Sequence, residues 1–91
     1  MAKFNPKDVY GVLFTTVDNF SDKDQEYLFE NIFTDEFLQD VKNNPKSAYN
    51  TLDKIVQNIE NGKQDKVSKL FSDYKDKLYM MKNMLKDYGN F

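Results

Sequence analysis

The stretch VSKLFSDYKDKLYMMKNMLKDY, residues 67–88, decides the fold. Its apolar residues Val67, Phe71, Tyr74, Leu78, Met81, Leu85 and Tyr88 step by 4, 3, 4, 3, 4, 3. That is the a/d seam of a heptad repeat, held over three heptads. With Gly89 placed as a stop, the spacing predicts one long C-terminal helix over about 64–88. At 1.5 Å per residue it would be a rod of roughly 37 Å, against about 22 Å for the helices expected upstream. A rod of that length either spans several shorter helices of its own chain or pairs with a second chain.

Upstream, helix starts are written clearly. Asn5-Pro6 reads as an N-cap followed by proline at the first helical position, where no N–H partner is needed. Asp8 follows in the first turn, and Phe4 and Val9 are spaced as a hydrophobic staple. Val9, Val12, Leu13, Thr16, Val17 and Phe20 then share one helical face. The β-branched run from Val12 to Val17 also suits a strand; the cap and the three-to-four spacing favour helix. Ser21-Asp22-Lys23-Asp24 resembles a capping box ahead of a second helix carrying Tyr27, Leu28, Phe29, Ile32 and Phe33. Thr34 caps a third, with Phe37, Leu38 and Val41, and Phe33 can staple onto Leu38. Asn44-Pro45 opens a fourth, with Ala48, Leu52, Ile55, Val56 and Ile59 on its buried face, and Asn61-Gly62 ends it. The expected fold is all-α: a single-domain bundle of four to five helices over residues 1–91, the short ones packed along the long last one.

Asn5-Pro6-Lys7-x-x-Tyr10 recurs as Asn44-Pro45-Lys46-x-x-Tyr49, and Leu13, Val17, Asn19 and Gln25 match Leu52, Val56, Asn58 and Gln64 at the same offset of 39. Either a helical hairpin is duplicated, or two helices with the same cap grammar and spacing match by register alone.

Composition removes most chemistry. The 91 residues are 40 % hydrophobic and 31 % charged, which is globular rather than disordered. Cysteine and histidine are absent, so disulfides, zinc–thiolate sites and the usual proton shuttle are excluded, and no metal or cofactor is expected. All 13 basic residues are lysine, so the bidentate arginine contacts of nucleic-acid readers are missing. Asp22-x-Asp24-x-Glu26 opens like a calcium loop, but Tyr27 stands where glycine is needed and Phe33 where the final glutamate is needed. Ser68 and Ser72 lie near lysines, but neighbours at i,i+1 such as Ser68 and Lys69 point apart on a helix, and lysines this dense belong on a solvated face. No run reaches the ~18–20 apolar residues of a membrane span, and the first residues lack a basic-then-apolar signal region. A cytoplasmic, non-enzymatic protein is the expectation. Lysine without arginine, together with ten asparagines, fits the A/T-rich genome of a low-GC bacterium or its phage. In size and helical organisation the chain resembles small immunity proteins and phage-encoded inhibitors as a class, without a shared motif.

Charge is unevenly divided. Residues 1–45 carry four lysines and nine acids, net −5, and residues 46–91 carry nine lysines and six acids, net +3. Asp22, Glu26 and Glu30 recur every fourth residue on one face, and Asp35, Glu36 and Asp40 extend the acidity, which suits a local mimic of a phosphate row. On the last helix Tyr79 and Met80 fall at outer positions b and c and Met84 at g. They are either core, if that helix has neighbours on two sides, or an adaptable contact surface. Lys82, at e, is expected in solvent. The candidate protein-binding residues are therefore Tyr79, Met80, Met84, Asp22, Glu26, Glu30, Glu36 and Asp40. Another protein is the expected partner, with nucleic acid disfavoured and a monomer preferred. The alternatives are self-assembly through the heptad helix and weak nucleic-acid binding by the lysines and tyrosines of that helix.

Overall fold

A computed structural model describes residues 5–91. The elements are helices α1 (Pro6–Val17), α2 (Asp22–Asn31), α3 (Asp35–Asn43), α4 (Pro45–Glu60) and α5 (Lys66–Phe71), a 3₁₀ turn (Ser72–Tyr74), and α6 (Lys75–Gly89). No strand occurs among the described residues, and the β-branched run 12–17 is helical. At the start of α1 the Asp8 N–H donates to Asn5 Oδ1 at 3.3 Å and the Asn5 N–H to Asp8 Oδ2 at 3.0 Å, a reciprocal capping box. The staple between Phe4 and Val9 lies outside the described residues. Ser21 and Thr34 cap α2 and α3 through the N–H groups of Asp24 and Phe37.

Two cap readings need correction. Asn44 stands at the N-cap of α4, but its side chain caps nothing. It is also the C-cap of α3, its N–H donating to the Asp40 carbonyl at 2.8 Å, and Ser47 rather than an aspartate follows three residues on. At the other end, the left-handed residue that stops α6 is Asn90 (φ 56°), not Gly89. Gly89 is required for close approach instead: a Cβ there would lie 2.6 Å from the Phe91 ring and 2.8 Å from Pro45 Cγ. Phe91 folds back, its ring T-shaped to Tyr49 at 5.2 Å and its N–H donating to the Lys86 carbonyl. Gly62 does take the left-handed conformation (φ 77°) that ends α4.

The expected rod over 64–88 is interrupted at Ser72–Tyr74. Ser72 and Asp73 are residues whose side chains compete with the helix backbone, and the Ser72 hydroxyl donates to the Lys69 carbonyl at 3.0 Å. Around the turn, Phe71 and Tyr74 both meet Phe20 edge-on at 5.4 Å. The seam itself survives the break: Phe71, Leu78, Met81 and Leu85 are fully buried, and Val67, Tyr74 and Tyr88 are half-buried.

α6 is the centre of the bundle. It packs chiefly on α4 and then on α1, while α3 packs on α4 and α1, and α5 on α4. One core joins Val9, Leu13 and Val17 of α1, Leu28 of α2, Val41 of α3, Leu52 and Val56 of α4 and the seam. α1 and α4, which hold most of the match at offset 39, both pack on α6, and Val9/Ala48, Leu13/Leu52, Thr16/Ile55 and Val17/Val56 are buried pair by pair. No helix among the described residues is long and apolar enough to cross a membrane.

Candidate functional site

Tyr79 and Met80 are both exposed, at 37 % and 41 %. Neighbours on a helix point about 100° apart, and here that angle puts them on opposite shoulders of α6. Tyr79 belongs to the α4 side, where its hydroxyl donates to Glu60 Oε2 at 2.7 Å. Lys75 Nζ lies 3.8 Å from the same oxygen. Met84, half-buried, is on the α1 side, lining an open groove of about 690 Å³ with Gly11, Val12, Thr15 and Lys77. The three α6 candidates do not form one face.

Lys82 corrects its expected solvated placement. It is 7 % exposed, its ammonium donates to Asp53 Oδ1 at 2.7 Å, and it lies 5.2 Å from the Tyr49 ring centroid and 5.1 Å from that of Tyr79. Position e faces α4 here because α6 has neighbours on two sides. The hydrogen bond from Lys82 holds the Asp53 carboxyl below its ordinary range, and the Glu60 carboxylate that accepts the Tyr79 proton raises that phenol. These contacts fasten α6 to α4 and engage both the ring and the hydroxyl of Tyr79.

The acidic candidates divide as well. Asp22, Glu26 and Glu30 are exposed along α2. Glu36, exposed, and Asp40, half-buried, form a separate i,i+4 pair on α3, and no hydrogen bond or ion pair ties them to the α2 row.

Sequence reasoning missed what the α2 row borders. Phe14, at 44 %, is the most exposed large apolar side chain among the described residues. Its ring stacks on Tyr10 at 6.1 Å (interplanar angle 24°) and meets Phe29 of α2 at 6.0 Å. The Tyr10 hydroxyl donates to the Leu38 carbonyl, which pins one end of the row to α3. Asp22, Glu26 and Phe29 follow at i, i+4 and i+7 on one line of α2, Glu30 is the next residue, and Asp18 lies at i+4 from Phe14. By helical spacing these four carboxylates border the row of three aromatic rings, and Lys23 lies at i−3 from Glu26. None of the four is in an ion pair among the described residues; the pairs there join Lys63 to Asp65, Lys66 to Asp24, Lys75 to Glu60 and Lys82 to Asp53. Glu30 sits in the last turn of α2, where the helix dipole favours a cation. A sequence signal for this face exists: Tyr10 and Phe14 are an i,i+4 aromatic pair outside the apolar stripe of α1.

No three carboxylates among the described residues gather as a metal set. The chain matches no family model, no curated protein and no solved structure.

Proposed function

We propose that this chain is a small cytoplasmic, non-enzymatic protein-binding module, an inhibitor or accessory factor of a low-GC bacterium or its phage, and that it acts by covering a partner's surface with the α1–α2 face. The observation that carries this reading is Phe14. An aromatic ring 44 % exposed, meeting two others and bordered by carboxylates that are in no ion pair among the described residues, gives the isolated fold little and gives a contact surface an anchor. The other classes are less well supported. The heptad seam is consumed in the chain's own core, which favours a monomer over assembly through that seam. Four of the lysines that nucleic acid would need are engaged with carboxylates.

Capture from a native lysate with the parent chain, Phe14→Ser, and the double variant Tyr79→Ser with Met80→Ser tests the placement. Loss of the captured protein with Phe14→Ser, at a melting temperature within a few degrees of the parent, is the expected result. Loss only with the double variant moves the site to α6.

A further inference from the structure

The chemistry of the partner can be read from the same face, on the condition that this face is the binding surface. We infer that it receives a basic polypeptide segment, one apolar or aromatic side chain flanked by lysines or arginines.

Three observations lead there. The aromatic row of Tyr10, Phe14 and Phe29 offers ring faces for an apolar anchor and for a cation stacked on an aromatic. The carboxylates of Asp18, Asp22, Glu26 and Glu30 are in no ion pair among the described residues, while four lysines elsewhere have found acids within the chain. Finally, the C-terminal end of the α2 row works against the fold: Glu26 and Glu30 repel one another at i,i+4 spacing, and Glu30 opposes the dipole of α2, whereas Asp22 in the first turn suits it. Opposite charge arriving from a partner relieves that repulsion and steers the encounter. A nucleic acid or an anionic lipid surface has the wrong sign for this rim. A second copy of the chain is a weaker complement, because beside its exposed α6 methionine, Met80, Lys77 at i−3 is offset by Asp76 at i−4.

The test uses the full chain, labelled for nuclear magnetic resonance, and three synthetic helical peptides. One carries a leucine stripe flanked by lysines, one has glutamates in place of the lysines, and one keeps the lysines with the leucines changed to serine. The lysine–leucine peptide is expected to shift the amides of α1 and α2, and to bind at least about tenfold more weakly at high salt. The glutamate peptide and the serine peptide are expected to leave those amides unmoved. Reversing Glu26 and Glu30 to lysine should weaken binding by about tenfold or more, and Phe14→Ser should do the same. Reversing Glu36 and Asp40 on α3 makes an equal change in net charge and should leave binding within about twofold; equal loss from both pairs would mean nonspecific attraction and overturn the proposal. Binding of the glutamate peptide to α1–α2, or Phe14-dependent self-association, overturns the basic partner while leaving the face intact. Failure of every peptide to move α1–α2, with shifts confined to α4–α6, overturns both.

Discussion

The two flanks of α6 treat charge in opposite ways. On the α4 side, Lys82 meets Asp53, Tyr79 and Lys75 meet Glu60, and Tyr49 and Tyr79 lie beside the Lys82 ammonium. On the α1–α2 side, Phe14 meets both Tyr10 and Phe29, and four carboxylates are in no ion pair among the described residues. One flank is completed within the chain and the other is left open. Exposure alone does not separate them, since Tyr79 at 37 % and Phe14 at 44 % are nearly equal. What separates them is whether the polar groups nearby are already engaged.

The comparison is tested most strongly where the closed flank meets the core. Leu78→Ala should cost about 2–5 kcal/mol in chemical denaturation, as for a fully buried leucine; a loss as small as that of a surface residue would mean that the seam is not the core. Next is Lys82→Ala, expected to cost about 1–3 kcal/mol. Its buried stem loses packing, and Asp53 loses its partner. Because the Asp53 side chain keeps 37 % of its surface exposed, the loss should fall below that of a fully buried pair. Lys82→Met, which keeps the stem, should recover part of it, and no recovery would mean that the pair rather than the packing dominates.

The same pair fixes a pH dependence. Asp53 is held below its ordinary value of 3.8 by the hydrogen bond from Lys82. A carboxyl lowered in the folded state adds stability that is fully present above the unfolded value and is lost as pH falls through the folded one. The stability difference between parent and Asp53→Asn should therefore be constant near neutrality and shrink as pH drops below 3.8. A difference that grows in acid would reverse the assigned sign. Smallest of all, Glu30→Lys on the open flank should raise stability by a few tenths of a kcal/mol, because it relieves both the α2 repulsion and the dipole conflict; a loss of similar size would mean that Glu30 has a partner within the fold.

Much of the architecture is legible in the sequence because caps and apolar spacing act locally. Asn5, Ser21, Thr34 and Gly62 act where their side chains or backbone freedom place them. The misses share a cause: they depend on what lies across the bundle. The heptad does not reveal that Ser72–Tyr74 turns to bring Phe71 and Tyr74 onto Phe20, nor that Phe91 folds back over Gly89. Heptad position e is outer in a two-helix seam and so predicts solvent for Lys82, whereas α6 has α4 on one side and α1 on the other. For the candidate surface, Asp22, Glu26 and Glu30 are readable as a charged row, but Phe14 meets Phe29 only through the α1–α2 turn. Closeness in sequence groups Tyr79, Met80 and Met84, and helical angle distributes them between two neighbours.

The central claim is that the open flank is held for a partner and not for the fold. Its most direct test is the unfolding free energy of the triple variant Phe14→Ser, Glu26→Lys, Glu30→Lys in the absence of any partner. Phe14 loses its contacts with Tyr10 and Phe29, worth about 0.5–1.5 kcal/mol each, and the two charge reversals offset part of that. The expected result is a stability within about 2 kcal/mol of the parent chain; a loss of about 4 kcal/mol or more, comparable with the larger losses expected for Leu78→Ala, would show that this flank is part of the core and contradict the claim.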